Sequence, residues 1–170
     1  MDLSARSIDY AVSQAEDNKS KISYICGSYL DMDYHEKFDI ITLIWCDYGA
    51  LSTNDRITLL KKICQALKPN GVLVFDMFSE NKFDGLTESQ SFEFNSAGGF
   101  WYEGEHICLN SSYKYTPRTE LRQTIVISSG NVECYNIWEH FFSVDEIKNE
   151  LSSANLEVIE LFDNIAGAAF

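Results

Sequence analysis

The spacing of apolar positions changes character twice along the chain. From Ser4 to about Glu16, Ile8, Ala11, Val12 and Ala15 recur at i, i+3, i+4 and i+7. That is one face of an amphipathic helix, with Ser4 placed as its N-cap. Lys21 to Cys26 is a short apolar run stopped by Gly27 and predicts a strand. Phe38 to Trp45 (FDIITLIW) is nearly continuous and rich in Ile, the texture of a parallel strand covered on both faces. Helical spacing returns at Ile57, Leu60, Ile63, Cys64 and Leu67, with Thr53 or Asn54 as cap. Lys61, Lys62 and Lys68 sit toward the negative end of that helix. Pro69-Asn70-Gly71 predicts its stop, and Val72 to Phe78 (VLVFDMF) a second buried strand. Helix, strand, strand, helix, strand with short connections predicts an α/β fold.

Residues 91–142 have another texture. Aromatic and β-branched residues dominate, and turn signals fall at Ser96-Ala97-Gly98-Gly99, Thr116-Pro117 and Ser129-Gly130-Asn131. The pattern predicts a meander of four or five antiparallel strands. Ser143-Val144-Asp145-Glu146 then forms an S-x-x-E capping box, with Phe142 and Ile147 placed as a hydrophobic staple. The helix it opens is expected to run to about Ala154, followed by a last strand from Leu156 to Phe162. There is no internal repeat and no low-complexity stretch. The 170 residues are read as one domain, 1–170, with the antiparallel sheet at 91–142 inserted into it.

Composition narrows the partners. Lys and Arg number 13 against 26 Asp and Glu, a net charge of −13. Direct binding to nucleic acid or to an anionic membrane needs clustered Lys and Arg, so neither is expected. Neutral or cationic ligands are favoured. No run approaches the ~18 apolar residues of a membrane span. MDLSARSID carries acids and hydroxyls where a signal peptide would be apolar, so a cytoplasmic location is expected. Cys26, Cys46, Cys64, Cys108 and Cys134 are odd in number and show no CxxC spacing. They read as reduced core thiols, and with His35, His106 and His140 equally scattered, no metal site is expected.

Asp2-Leu3-Ser4 stands immediately before a helix. An acid there sits at the carboxyl tip of a parallel strand, where open α/β sheets bind ligands. From this point the segments, in order, resemble the class I, Rossmann-like S-adenosylmethionine-dependent methyltransferases. DLSARSIDYA resembles the exit of that family's second strand. ISYICGSYLDMDYHEKFDIITLIW resembles its third strand, adenine-side loop and fourth strand, and LLKKICQALKPNGVLVFD its next helix, turn and fifth strand. Asn70 departs from the family's usual first Gly in that turn. The resemblance covers residues 2–78 and 142–165, and 91–141 fall where many members insert a substrate-covering sheet.

The resemblance implies S-adenosylmethionine as cofactor and methyl transfer to a small-molecule substrate. It makes Asp2 the acceptor for the ribose hydroxyls and Leu3 a packing surface for adenine. Ser28, where the family often has Asp, and Tyr29 would line the adenine side. Trp45 and Cys46 would lie at the methionine end, and Trp45 or Tyr48 offers an aromatic face to the sulfonium. Tyr48, Phe78, Trp101, Tyr102, Tyr113, Trp138, Glu139 and His140 are candidates for the substrate side. His140 is weighed as a base against an ordinary, satisfied sheet histidine, and no base is assigned.

In the family's sheet order, 3-2-1-4-5-7-6, strand one with its helix and Gly-rich loop, most of strand two, and the last strand, seven, have no counterpart here, and no G-x-G occurs in the sequence. The expectation is a fragment of a longer methyltransferase, inactive alone and open to self-association through unpaired strand edges. Two alternatives remain: a non-catalytic, methyltransferase-like remnant acting through a partner chain, and a nucleotide-dependent oxidoreductase. The second is disfavoured by the LKPNG turn and by the lack of G-x-G-x-x-G.

Overall fold

The structure is a computed structural model and describes residues 1–17 and 21–168. In chain order its elements are α1 (Ala5–Asp17), β1 (Phe38–Leu43), α2 (Thr53–Ala66), β2 (Leu67–Phe75), α3 (Glu80–Gly85), β3 (Ser89–Asn95), β4 (His106–Tyr115), β5 (Thr119–Ser128), β6 (Asn131–His140) and α4 (Val144–Ser153). Short 3-10 turns cover Tyr29–Asp31 and Asp47–Ala50. Two compact units emerge: Met1–Ile41 with Asn54–Leu73, and Thr42–Thr53 with Val74–Phe170. Among the described residues no helix is long and apolar enough to cross a membrane.

In the first unit, α1 begins where the spacing predicts. Ser4 Oγ accepts the Ser7 N–H at 3.1 Å, which satisfies one of the helix's open donors. The run from Lys21 to Cys26 does not form the predicted strand. Its contribution is a single parallel bridge between Asp2 and Cys26. α2 buries Leu60 and Ile63 of the predicted stripe, and also Arg56, Leu59 and Ala66; Leu67, the stripe's last member, is buried as the first residue of β2. β1 and β2 form a two-stranded sheet. Lys37 N–H bonds to Ala66 O at the start, and Asp76 N–H bonds to Leu43 O at the end, so the two strands run in the same direction.

β1 is not covered on both faces as expected. It ends at Leu43, and Ile40 is 62% exposed. Alternate side chains leave a strand on opposite sides, and among the described residues β2 is its one sheet neighbour. The turn Pro69-Asn70-Gly71 also differs from expectation, because it lies inside β2. Asn70 takes a left-handed conformation (φ 64°). A Cβ at Gly71 would sit 3.1 Å from Phe38 O and 2.9 Å from Lys68 O, so the residue there must be Gly.

The second unit is dominated by the four-stranded antiparallel sheet β3-β4-β5-β6, at the lower of the two expected strand counts. Its register is continuous, with Phe94↔Ile107, Ile107↔Ile127 and Ile127↔Val132 forming one row. One face therefore carries Phe92, Phe94, Ile107, Leu109, Ile125, Ile127, Val132, Trp138 and His140. The other carries His106, Cys108, Glu120, Arg122, Val126 and Glu139. The capping box forms as predicted: Ser143 Oγ accepts the Glu146 N–H at 3.2 Å, and Phe142 and Ile147 are both buried. α3 has no counterpart in the predicted elements. Residues 156–162, predicted as a strand, form no named strand, and Ile159 is exposed. An apolar run becomes a strand only where a partner supplies the ladder.

Candidate functional site

Part of the residues singled out from sequence gather in two clusters, one in each unit. In the first unit, the parallel bridge pins Asp2 from both sides. Its N–H bonds to Ile25 O (3.1 Å), and its carbonyl accepts from Gly27 (2.9 Å). The Asp2 carboxylate is exposed, and its Oδ1 accepts the Ser4 N–H at 2.7 Å, which fixes its direction just ahead of α1. Leu3 lies beside it, 73% exposed, with its carbonyl facing the Cys26 thiol at 3.7 Å. Ser28 follows on the neighbouring segment. Its Oγ accepts the Leu30 N–H at 3.1 Å and caps the turn that begins at Tyr29. The bridge thus brings Asp2, Leu3, Ser28 and Tyr29 together at the carboxyl ends of two parallel segments.

The second cluster lies just past the carboxyl ends of β1 and β2. The chain leaves β1 through two consecutive left-handed residues, Trp45 (φ 70°) and Cys46 (φ 59°). Neither is Gly, so the turn is strained. Asp76, just after β2, holds it in place. Its Oδ1 accepts the Cys46 N–H at 3.1 Å and its Oδ2 faces the Cys46 thiol at 3.6 Å. Burial, then the Asp76 charge, pushes the Cys46 thiol up to about 11, so it stays protonated and a poor nucleophile at neutral pH. Trp45 projects outward, 89% exposed. Tyr48 instead is 1% exposed, set against Phe75 and Phe142, with its hydroxyl donating to Glu150.

Glu139 of β6 reaches the same turn. It is 5% exposed, and its Oε1 has no hydrogen-bond partner. Its Oε2 lies 3.8 Å from an Arg122 guanidinium nitrogen, too long for a hydrogen bond. Gly49 makes room for it: a Cβ at position 49 would sit 2.1 Å from Glu139 Oε1 and 2.8 Å from His140 O. Burial is the main cause that pushes the Glu139 carboxyl up to about 7. Arg122 and Lys82 pull it down, and Glu120 and Asp47 add to the rise. Lys82 stands 3.0 Å above the Phe78 ring, and Phe78 stacks on Phe141.

His140, the neighbour weighed as a base, is satisfied on both ring nitrogens. Nδ1 meets Thr119 Oγ1 at 3.2 Å and Nε2 meets Glu146 Oε1 at 2.8 Å. Arg118 also bonds Glu146. Burial raises the Glu146 carboxyl, but its bonds to Arg118 and His140 outweigh that and hold it below its ordinary value. Trp138 packs on Tyr115, and both lie with His140 on the face opposite Glu139. Trp101 stacks on Tyr135 at 4.7 Å, and Tyr102 meets His106 edge-on, both on the Glu139 face but among the residues of the 96–105 loop. Tyr113 lies on the Trp138 face. Phe78 and Glu139, Cys46 and Asp76 are therefore brought together. Trp138, His140, Trp101 and Tyr102 are not part of that cluster. The Gly49–Glu139 contact and the Asp76 anchor carried no signal in sequence beyond Glu139's place among many substrate-side candidates.

Comparison with known proteins adds a family frame. Residues 1–71 match the family model described as a methyltransferase domain. A sequence search of curated proteins returned no match. Among solved structures, an S-adenosylmethionine-dependent methyltransferase from Clostridium acetobutylicum superposes with a TM-score of 0.74 at 16% identity, over 99% of this chain and 67% of that one. The CcbJ methyltransferase from Streptomyces caelestis gives 0.73 at 17%, over 98% and 71%. An amino pentose methyltransferase from Micromonospora echinaspora, solved with S-adenosylmethionine bound, gives 0.57 at 14%, over 94% and 67%. At these identities the likeness is one of fold. The chain has the α/β fold of the Rossmann-like methyltransferases.

Proposed function

We infer that this chain, which has the class I methyltransferase fold, serves S-adenosylmethionine-dependent methyl transfer to a small-molecule acceptor. The observation that carries the reading is the placement of Asp2. It lies within the 71 residues that match the methyltransferase domain, pinned by a parallel bridge and pointed ahead of a helix by Ser4. The residues present fit the nucleoside part of that cofactor. An exposed carboxylate accepts two ribose hydroxyls, an exposed Leu3 offers an apolar face for adenine, and Ser28 adds a hydroxyl on the neighbouring segment. The cofactor supplies an electrophilic methyl group on a sulfonium. The chain's own part is to hold the nucleoside, align the acceptor and exclude water. Small-molecule acceptors agree with the similar structures that carry a substrate in their names, an amino pentose methyltransferase and a glycopeptide N-methyltransferase. Calorimetry with S-adenosylhomocysteine tests the reading. Binding by the chain, weakened about tenfold or more by Asp2→Asn through loss of a charged acceptor, is the expected result. Absence of binding, or affinity unchanged in Asp2→Asn, overturns it. Binding gained when a Gly-rich first strand and loop are supplied separates a fragment of an enzyme from a methyltransferase-like protein that acts only through a partner chain.

A further inference from the structure

We propose that the open face of the antiparallel sheet is a self-docking surface: a second copy of this chain covers it, sheet face on sheet face, about a twofold axis. The surface lies wholly within the second unit, and the proposal is independent of the methyl-transfer reading.

Alternation along the strands decides what this face carries. In a continuous register, every second residue of a strand joins a row across the sheet. The row from Phe94 through Ile107 and Ile127 to Val132 is apolar throughout. So is the row beside it, from Phe92 across to Cys134, a free thiol counting as a small apolar group. The next row, from Gln90 across to Asn136, is polar and uncharged. Among the described residues of the four strands, no Asp, Glu, Lys or Arg stands on this face. The opposite face carries Glu93, Lys114, Glu120, Arg122, Glu133 and Glu139.

That contrast selects the occupant. The chain has a net charge of −13, so two copies repel each other at a distance. The uncharged face lets them touch without burying like charges. It also offers no ion pair with which to select a foreign protein. An open apolar sheet face is complementary to itself. Two such faces pack about 10 Å apart with strand directions within about 30° of each other, and a twofold axis sets the same rows of both copies together.

The area is sufficient. Across Phe92, Phe94, Ile107, Leu109, Ile127 and Val132, exposure runs from 36% to 74%. With roughly 200 Å² for a large apolar side chain, on the order of 600 Å² lies open. A contiguous apolar patch of that size marks an interaction site. Two copies face to face bury on the order of 1,200 Å², the lower bound of a stable, specific interface. Association on the order of 10 µM follows from a contact of that size with no ion pairs. Below about 1 µM the chain is a single copy and the face meets water.

Sedimentation equilibrium of the intact chain is the test. The expected result is a reversible monomer–dimer equilibrium with a Kd on the order of 10 µM. Raising NaCl from about 0.05 M to about 0.5 M tightens it several-fold, because salt screens the repulsion and the contact holds no ion pair to weaken. Ile127 lies on the inner strand β5, away from the sheet edges, so its side chain reports on the face alone. Ile127→Glu sets like charges into the contact and raises Kd about 100-fold or more. Phe92→Ser, at the most exposed of the six positions, raises it about tenfold without touching an inner strand. Cys134 is exposed on the same face. A thiol reagent labels it about fivefold more slowly at about 200 µM chain than at about 1 µM, a difference that Ile127→Glu abolishes. A chain that stays monomeric to about 200 µM at both salt concentrations overturns the proposal. Association that weakens with salt also overturns it and marks a contact made by ion pairs. Association unchanged in both Ile127→Glu and Phe92→Ser overturns it in favour of pairing through the edge strands. Slow labelling of Cys134 at every chain concentration overturns it too, and shows another part of the same chain lying over the face.

Discussion

The two faces of the antiparallel sheet make opposite use of their residues. One face carries Phe92, Phe94, Ile107, Leu109, Ile127 and Val132, all classed as exposed. The other carries His106, Cys108, Glu120, Val126 and Glu139, all buried. The contrast holds at the end of the sheet that carries Ile107, Ile127 and Val132; at the other end the first face also buries Leu121 and His140. A sheet face is buried by what lies over it, and polarity decides only the cost. On the covered face that cost is met bond by bond. His106 Nδ1 meets Gly104 O at 2.8 Å, and Glu120 accepts the Ser112 hydroxyl at 2.7 Å. Among the described residues, Glu139 Oε1 is the buried side-chain polar atom left without a hydrogen-bond partner.

The comparison is broken most severely at Gly49. Gly49→Ala drives a methyl group into Glu139 Oε1 and toward His140 O. We expect a loss of about 3 kcal/mol in chemical denaturation, the scale of overpacking against backbone. Gly49→Ala/Glu139→Ala regains part of that loss, and equal losses in both variants would place the strain on the backbone alone.

The next test sets one face against the other. Val126→Ala on the covered face costs about 2 kcal/mol and Val132→Ala on the open face less than about 0.5 kcal/mol, both read from denaturation midpoints. Equal losses would show that the open face is covered in solution.

Glu139 also gives the covered face a pH signature. Its carboxyl is raised from 4.5 to about 7 on folding, so the folded state holds the proton more tightly. Stability from this group is complete below about 4.5 and falls as pH rises through about 7. Glu139→Gln removes that slope. It is expected to be more stable than the parent by about 2 kcal/mol at pH 8 and little changed at pH 4, a difference that urea titrations at the two pH values measure. Glu146 has the opposite sign. Its depressed carboxyl contributes stability above its ordinary value and loses it as pH falls.

The smallest effect is a rate. Cys134 on the open face is exposed and Cys108 on the covered face is buried, with burial and then Glu93 raising the Cys108 thiol. A disulfide reagent at pH 8 should label Cys134 and Cys26 rapidly and Cys108 and Cys46 far more slowly. Mass spectrometry of the labelled peptides reads the order.

Much of the fold was legible because period and punctuation suffice for local elements. Ser4 and Ser143 cap the helices they were read to cap, and the turns at Ser129-Gly130 and Thr116-Pro117 separate strands where expected. Failures came where a partner decides. LEVIELF has the residues of a strand, yet no ladder forms there among the described residues. ENKFDG has no apolar period, and α3 went unread. Alternation likewise tells which residues share a face of β4 to β6 without telling which face is covered. The group proposed for the nucleoside was reached through resemblance, since the segments of Asp2 and Ser28 are joined only by the bridge between Asp2 and Cys26, distant in the chain. Glu139 was one name among eight, because nothing local marks the glycine it rests on.

The contact between Gly49 and Glu139 has a consequence for descent. The two positions share one small volume, so they are not free to drift separately. A related chain with any side chain at the position of Gly49 must shorten or redirect the one at Glu139, and by doing so gives up this placement of the buried carboxylate. Glycine at the first position is therefore the condition for keeping the acid, in its present direction, at the second.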